Sequence, residues 1–217
     1  MSYYDDRVEI VAATLKRYKI VPVLAIEKVE DGLKMCELFD RCGLKVAEIT
    51  FRTAAAVEII RQASKKFPEM VIGAGTVLNP TDLHLALNAG ASFAVAPGFN
   101  PTIVKDAIKN RLPFFPGVSC PTHIEQAYEL GARVMKFFPA RPLGGVKMLK
   151  AIIPPYRHLG VRFIPTGGIT TDNIKNYLEI PEVIAAGGTW LGTSADIRDG
   201  EWDKIEQLVR EAVALLA

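Results

Sequence analysis

Apolar and polar positions along the chain follow two periods. The opening stretch from Asp5 to Tyr18 carries Val8, Ile10, Val11, Leu15 and Tyr18 near helical spacing and predicts a leading helix. Beyond it, short runs rich in Val, Ile and Phe begin at intervals of 21 to 27 residues: Ile20 to Ile26, Val46 to Thr50, Val71 to Ala74, Ser92 to Ala96, Pro113 to Phe115, Val134 to Phe138, Val161 to Pro165 and Val183 to Ala186. Each of these eight runs is short and apolar enough to predict a buried strand. The segments between them have helical periodicity. Glu30 to Leu44 places Leu33, Cys36, Leu38 and Phe39 on one side, Ala54 to Phe67 does so with Val57, Ile60 and Ala63, and Asp203 to Leu216 closes the chain amphipathically. Asn79 before Pro80, and Asn100 before Pro101, carry the cap and first-turn signals of helix starts.

Strands alternating with helices imply a parallel sheet, and eight such units predict closure into a (β/α)8 TIM barrel with an additional N-terminal helix. A doubly wound open sheet is the alternative architecture. The 217 residues match the roughly 200 to 250 that one α/β barrel uses, so residues 1–217 are expected to form a single domain. Apolar residues at 49% and charged residues at 23% point to a globular protein. The net charge of +2 comes from 26 basic and 24 acidic residues spread along the chain. No basic block marks a nucleic-acid or membrane partner, and an anionic ligand would have to be met locally.

Cys36, Cys42 and Cys120 are odd in number and lack C-x-x-C spacing, which predicts buried reduced thiols in a cytoplasmic protein and argues against zinc. The N-terminus, Met1 to Asp6, has acid where a signal peptide has positive charge, and no apolar run reaches the roughly 18 residues of a membrane span. His84, His123 and His158 fall in predicted helices or loops and read as surface or packing residues rather than metal ligands.

In a barrel, reactive groups sit at the C-terminal ends of strands and in the loops that follow. On the second strand a period of two puts Val46, Glu48, Thr50 and Arg52 on one side and Ala47, Ile49 and Phe51 on the other. A carboxylate in an apolar run needs a partner. Pairing with Arg52 would make Glu48 structural; otherwise it is a candidate general acid/base. On the sixth strand the same parity turns Val134, Lys136 and Phe138 inward, so Glu48 and Lys136 could share the barrel axis, the carboxylate moving protons for the amine. Burial strips an ammonium of hydration and favours the neutral, nucleophilic amine, so Lys136 is a candidate carbonyl nucleophile, against the alternative of a lysine that snorkels to solvent. The third strand ends in Gly73-Ala74-Gly75-Thr76, small residues that admit a ligand or mark a tight turn. Gly167-Gly168 after the seventh strand and Gly187-Gly188-Thr189 after the eighth could cradle a phosphate with their N–H groups, aided by a helix beginning near Thr170 or Thr171, or could simply form turns. Arg141 follows the lysine strand closely enough to reach the barrel mouth.

Several segments in order carry a resemblance to a known family: Pro22-Val23, Glu48-Ile49-Thr50-Phe51-Arg52-Thr53, Gly73 to Leu78, Ala96-Pro97-Gly98, Phe115-Pro116-Gly117, Lys136-Phe137-Phe138-Pro139-Ala140, Pro165 to Ile169 and Gly187 to Trp190. Together they resemble the class I 2-keto-3-deoxy-6-phosphogluconate aldolases, including those also called 4-hydroxy-2-oxoglutarate aldolases. The resemblance implies a Schiff base at Lys136 and general acid/base work by Glu48, with Arg52 and Thr76 holding a pyruvate carboxylate. It also implies that Pro97 and Phe138 shape the pocket, and that Gly167, Gly168, Gly188 and Thr189 receive the phosphate, Thr189 replacing the serine usual in the family. It further implies a small 2-keto acid substrate, no metal or other cofactor, and a homotrimer. An aldolase for the phosphogalactonate epimer, a phosphosugar epimerase or isomerase, and a non-catalytic phosphosugar-binding barrel are the alternatives.

Overall fold

The computed structural model describes residues 3–216. Met1 and Ser2 of the opening stretch, and Ala217 at the end of the expected domain, lie outside the described residues. The leading helix α1 (Tyr3–Tyr18) is followed by β1 (Ile20–Leu24), α2 (Val29–Arg41), β2 (Val46–Thr50), α3 (Ala56–Lys66), β3 (Val71–Gly75), α4 (Pro80–Ala89), β4 (Phe93–Val95) and α5 (Pro101–Lys109). Then come β5 (Phe114–Phe115), β6 (Gly117–Val118), α6 (Pro121–Glu129), β7 (Val134–Phe137), α7 (Gly145–Ile152) and a 3-10 turn (Pro154–Leu159). The chain closes with β8 (Arg162–Pro165), α8 (Ile174–Leu178), β9 (Ala186–Gly188), α9 (Ser194–Arg198) and α10 (Trp202–Leu216). The predicted caps are in place: the Asn79 side chain accepts from the Asp82 N–H at 2.8 Å while the Asp82 carboxylate accepts from the Leu78 N–H at 3.2 Å. Asn100 accepts from the Thr102 N–H at 3.0 Å.

All strand pairs are parallel, but the ladder differs from one ring of eight. Among the described residues it forms a curled six-stranded sheet, in the order β5-β4-β3-β2-β1-β9, and a three-stranded sheet, β6-β7-β8. The predicted fifth strand runs on past Pro116, whose missing N–H interrupts the ladder. Its first half pairs with β4 and its second with β7. The second junction consists of isolated bridges, Phe163 to Val183 and Thr166 to Gly187. The last strand also lies later than its apolar run suggests. It is Ala186–Gly188, because these residues, glycines included, pair with Ile20 to Pro22 of β1.

Strand parity divides the interior into two cores. Ala47, Ile49, Ile72, Ala74, Met135, Phe137 and Phe163 pack in one buried cluster with the helix faces that include Met35, Phe39, Ile59, Ile60 and Leu149. Val21, Val46, Phe93, Val95, Phe115, Val134 and Ile164 face the concave side, where they join Val8, Val11, Ala12 and Leu15 of α1. Val46 and Val134 are the first residues of their strands, so α1 covers the end of the sheet where strands begin. The opposite end remains for chemistry.

Among the described residues no helix is long and apolar enough to cross a membrane. Cys36 and Cys42 are buried free thiols, as expected, whereas Cys120 is only half-buried because it stands at the start of α6.

Candidate active site

Glu48 and Lys136 are each the third residue of a strand, and both face the concave side above the apolar plug. Their side chains meet: Lys136 Nζ lies 3.2 Å from Glu48 Oε1, with side-chain exposures of 7% and 4%. Glu48 is therefore paired with the lysine and not with Arg52. Strand β2 ends at Thr50, and Arg52 lies in the following turn with its side chain exposed. Parity arguments lapse once the chain leaves the strand.

Room for the carboxylate is made by a residue whose role sequence reasoning left open. A Cβ on Gly75 would sit 2.2 Å from Glu48 Oε1, and one on Gly73 would sit 2.2 Å from the Phe93 ring. Both glycines lie on the concave side of β3, whose Gly73 is in register with Glu48. Their alternation beside an inward-facing glutamate was the available signal. The lysine has a similar neighbour. Gly117 is in register with Lys136, and a Cβ there would stand 2.2 Å from the Pro97 backbone. Thus Pro97 closes over the strand next to the lysine.

Phe138 follows the last residue of β7, and its ring centroid is 5.6 Å from Lys136 Nζ. The ring also reaches the next loop, since a Cβ on Gly167 would stand 3.4 Å from it. Gly167 and Gly168 have φ of 102° and 77°, in the left-handed region that glycine enters without penalty. Asn173 holds the loop: it accepts from the Thr170 N–H at 3.0 Å and donates to the Gly168 carbonyl at 2.9 Å. The helix expected near Thr170 or Thr171 begins only at Ile174 and has five residues. Any anion here meets loop N–H groups rather than a helix N-terminus.

The second glycine pair is not a loop. Gly187 and Gly188 belong to β9, where a Cβ would stand 2.6 Å from Thr166 Oγ1 and 1.9 Å from the Trp190 ring respectively. Crowding, rather than turn geometry, requires glycine at both. Thr189 follows the strand and is exposed. Thr76 follows β3 with φ 57°, a costly conformation for a β-branched residue and one that clusters at functional sites. Arg52, Thr76 and Thr189 thus all sit just past C-terminal strand ends, and none hydrogen-bonds to Lys136 or Glu48 among the described residues.

The three histidines stay outside this arrangement. His84 pairs with Asp106 at 3.0 Å, His123 Nδ1 lies 3.2 Å from Ser119 Oγ, and His158 is in the 3-10 turn. Among the described residues no three His, Cys, Asp or Glu side chains gather as metal ligands would. Chemically, the site offers a buried amine and a carboxylate in direct contact, with an aromatic wall leading to a glycine loop.

The family model for KDPG and KHG aldolase matches residues 11–208. The 2-dehydro-3-deoxy-phosphogluconate aldolase of Haemophilus influenzae is 45% identical over 216 residues, covering 100% of both chains. The KHG/KDPG aldolase of Escherichia coli is 41% identical over 194 residues, 89% of this chain and 90% of that one. Among solved structures, the KDPG aldolase of Legionella pneumophila, with pyruvate captured at low pH as a covalent carbinolamine intermediate, superposes with a TM-score of 0.88 at 34% identity, covering 93% of this chain and 97% of that one. With a family model spanning nearly the whole chain and a relative alike from end to end, this chain belongs to the KDPG and KHG aldolase family.

Proposed function

We propose that the protein is a class I aldolase that reversibly cleaves 2-keto-3-deoxy-6-phosphogluconate into pyruvate and glyceraldehyde 3-phosphate. The observation that carries this reading is the buried contact of Lys136 Nζ with Glu48 Oε1 at 3.2 Å, between residues 88 apart in sequence. Lys136 attacks the C2 ketone, and Glu48, within proton-transfer distance, takes the proton that the amine must lose. The same carboxyl group returns a proton to the carbinolamine oxygen as it leaves as water. The resulting iminium draws the electron pair of the C3–C4 bond as that bond breaks, while Glu48 accepts the C4 hydroxyl proton. Glyceraldehyde 3-phosphate departs, C3 of the enamine is protonated, and hydrolysis of the imine releases pyruvate and the free lysine. The iminium is itself the electron sink, so the chemistry needs no cofactor.

In this reading Arg52 and Thr76 hold the pyruvate carboxylate, Pro97 and Phe138 wall the pocket, and Gly167, Gly168, Gly188 and Thr189 receive the phosphate. The names of the relatives favour the gluconate over the galactonate epimer, and the KHG/KDPG name of one group extends the reading to cleavage of 4-hydroxy-2-oxoglutarate into pyruvate and glyoxylate. We read residues 1–217 as one domain whose two sheets, sharing the strand through Pro116 and bridged at Thr166 to Gly187, act as one closed (β/α)8 barrel. A cytoplasmic homotrimer working in the Entner-Doudoroff pathway completes the proposal.

The decisive experiment is trapping with pyruvate and borohydride, followed by peptide mass analysis. The adduct is expected on Lys136, and Lys136→Ala is expected to abolish both adduct and cleavage. Turnover retained in that variant would refute the Schiff-base mechanism.

A further inference from the structure

The loop between β7 and α7 carries a charge that the mechanism above does not use. Arg141 is exposed, and among the described residues its guanidinium has neither an ion-pair partner nor a side-chain hydrogen bond. Its position is nonetheless well defined. The Arg141 backbone N–H donates to the Gly167 carbonyl at 2.9 Å. The side-chain stem crosses the next residue, since a Cβ on Gly168 would stand 2.6 Å from Arg141 Cβ and 2.9 Å from its Cδ. Buried Tyr177 of α8 feels the same cation: burial raises its phenol, and the Arg141 charge works against that rise. Gly167 in turn touches the Phe138 ring that stands beside Lys136. A continuous path therefore runs from the amine along Phe138 and the glycine loop to Arg141.

A phosphate monoester carries a charge of about −1.5 to −2 at neutral pH. The glycine loop offers it only uncharged N–H groups, and α8 is too short and begins too late to add a helix dipole. We propose that Arg141 is a specificity-determining residue for the phosphorylated end of the substrate, its guanidinium supplying the cation over the Gly167–Gly168 loop. This rests on the aldolase reading and deepens it. Guanidinium binds phosphate through paired, charge-assisted hydrogen bonds, and its stem already lies along the loop.

The test compares a phosphorylated substrate with a phosphate-free ligand of the same lysine. In Arg141→Ala, KM for 2-keto-3-deoxy-6-phosphogluconate should rise about tenfold while kcat stays within about twofold, as expected for losing one charge-assisted contact at a solvent-exposed position. Competitive inhibition by inorganic phosphate should weaken by a similar factor. Pyruvate trapping on Lys136 should proceed at the wild-type rate, and Arg141→Lys, which restores a point charge, should recover part of the KM. An unchanged KM, or equal losses in KM and pyruvate trapping across Arg141→Ala and Arg141→Gln, overturns the inference. Wild-type protein that fails to trap pyruvate would overturn the aldolase reading and this inference with it, whereas normal trapping with an unchanged KM would remove the inference alone.

Discussion

The Glu48 carboxylate occupies space that exists because position 75 has no side chain. Removing one partner of a buried, hydrogen-bonded pair leaves the other uncompensated, so the Glu48–Lys136 contact is held by its neighbours as much as by its own attraction. Gly75 is in a strand and outside the left-handed region, so alanine is conformationally admissible there. Its Cβ would nevertheless displace the Glu48 oxygen that contacts Lys136. Glu48→Gln is expected to slow cleavage by ~10²-fold, the usual contribution of a positioned general base. Gly75→Ala should lower kcat by about 10- to 100-fold through misplacement alone. Single-turnover kinetics would separate the two effects from binding, with pyruvate adduct formation still detectable in both variants. Wild-type rates in Gly75→Ala would show that the carboxylate relaxes freely and needs no such space. The glutamate and lysine were legible from strand parity, and so was their possible meeting on a shared axis. The direct 3.2 Å contact was not, because parity gives the face and never the distance.

Helix α1 shows how an element outside the repeating units shapes the site. Periodicity was enough to place it, and its apolar stripe signalled something to cover. What it covers is the start of the strands, where Leu15 is fully buried among Val21, Val46 and Val134. Leu15→Ala should destabilise the fold by about 2–5 kcal/mol, the range for emptying a buried leucine site. Urea unfolding would measure this, and a loss under about 1 kcal/mol would mean that the plug contributes little to the concave core. The strands were less faithfully announced. Pro116 divides one by removing a donor, and Gly187-Gly188 looked like a turn although they complete the strand beside β1. Glycine has the same letter whether it supplies φ freedom or yields space to Thr166 and Trp190.

Across the whole molecule, each of the two cores buries a weak acid. Burial pushes the Cys36 thiol, in the outer core, from an ordinary 9.0 up to about 12. It pushes the Tyr4 phenol, in the concave core, from 10.0 to about 12, with a backbone hydrogen bond to Phe114 acting in the opposite direction. In the unfolded chain both ionise at their ordinary values, so between about pH 9 and 12 the unfolded state binds fewer protons than the native state. This stability is fully present below pH 9 and is lost as pH rises, at up to about 1.4 kcal/mol per pH unit for each group. Urea midpoints should therefore fall between pH 8 and pH 10, and Cys36→Ala should show a shallower fall. Equal falls in the two proteins would mean that the thiol ionises without unfolding.

Local order along the chain was sufficient for the strand–helix alternation, the caps at Asn79 and Asn100, the faces of Glu48 and Lys136, and the family. These depend on the period of side chains along one strand or helix, which is set by backbone geometry. Three features depended instead on packing between segments distant in sequence: the direct 3.2 Å contact of the lysine with Glu48, the space at Gly75, and Arg141 lying across Gly168. Each is a contact between residues on different strands or loops, and such contacts have a distance only after the sheet has curled.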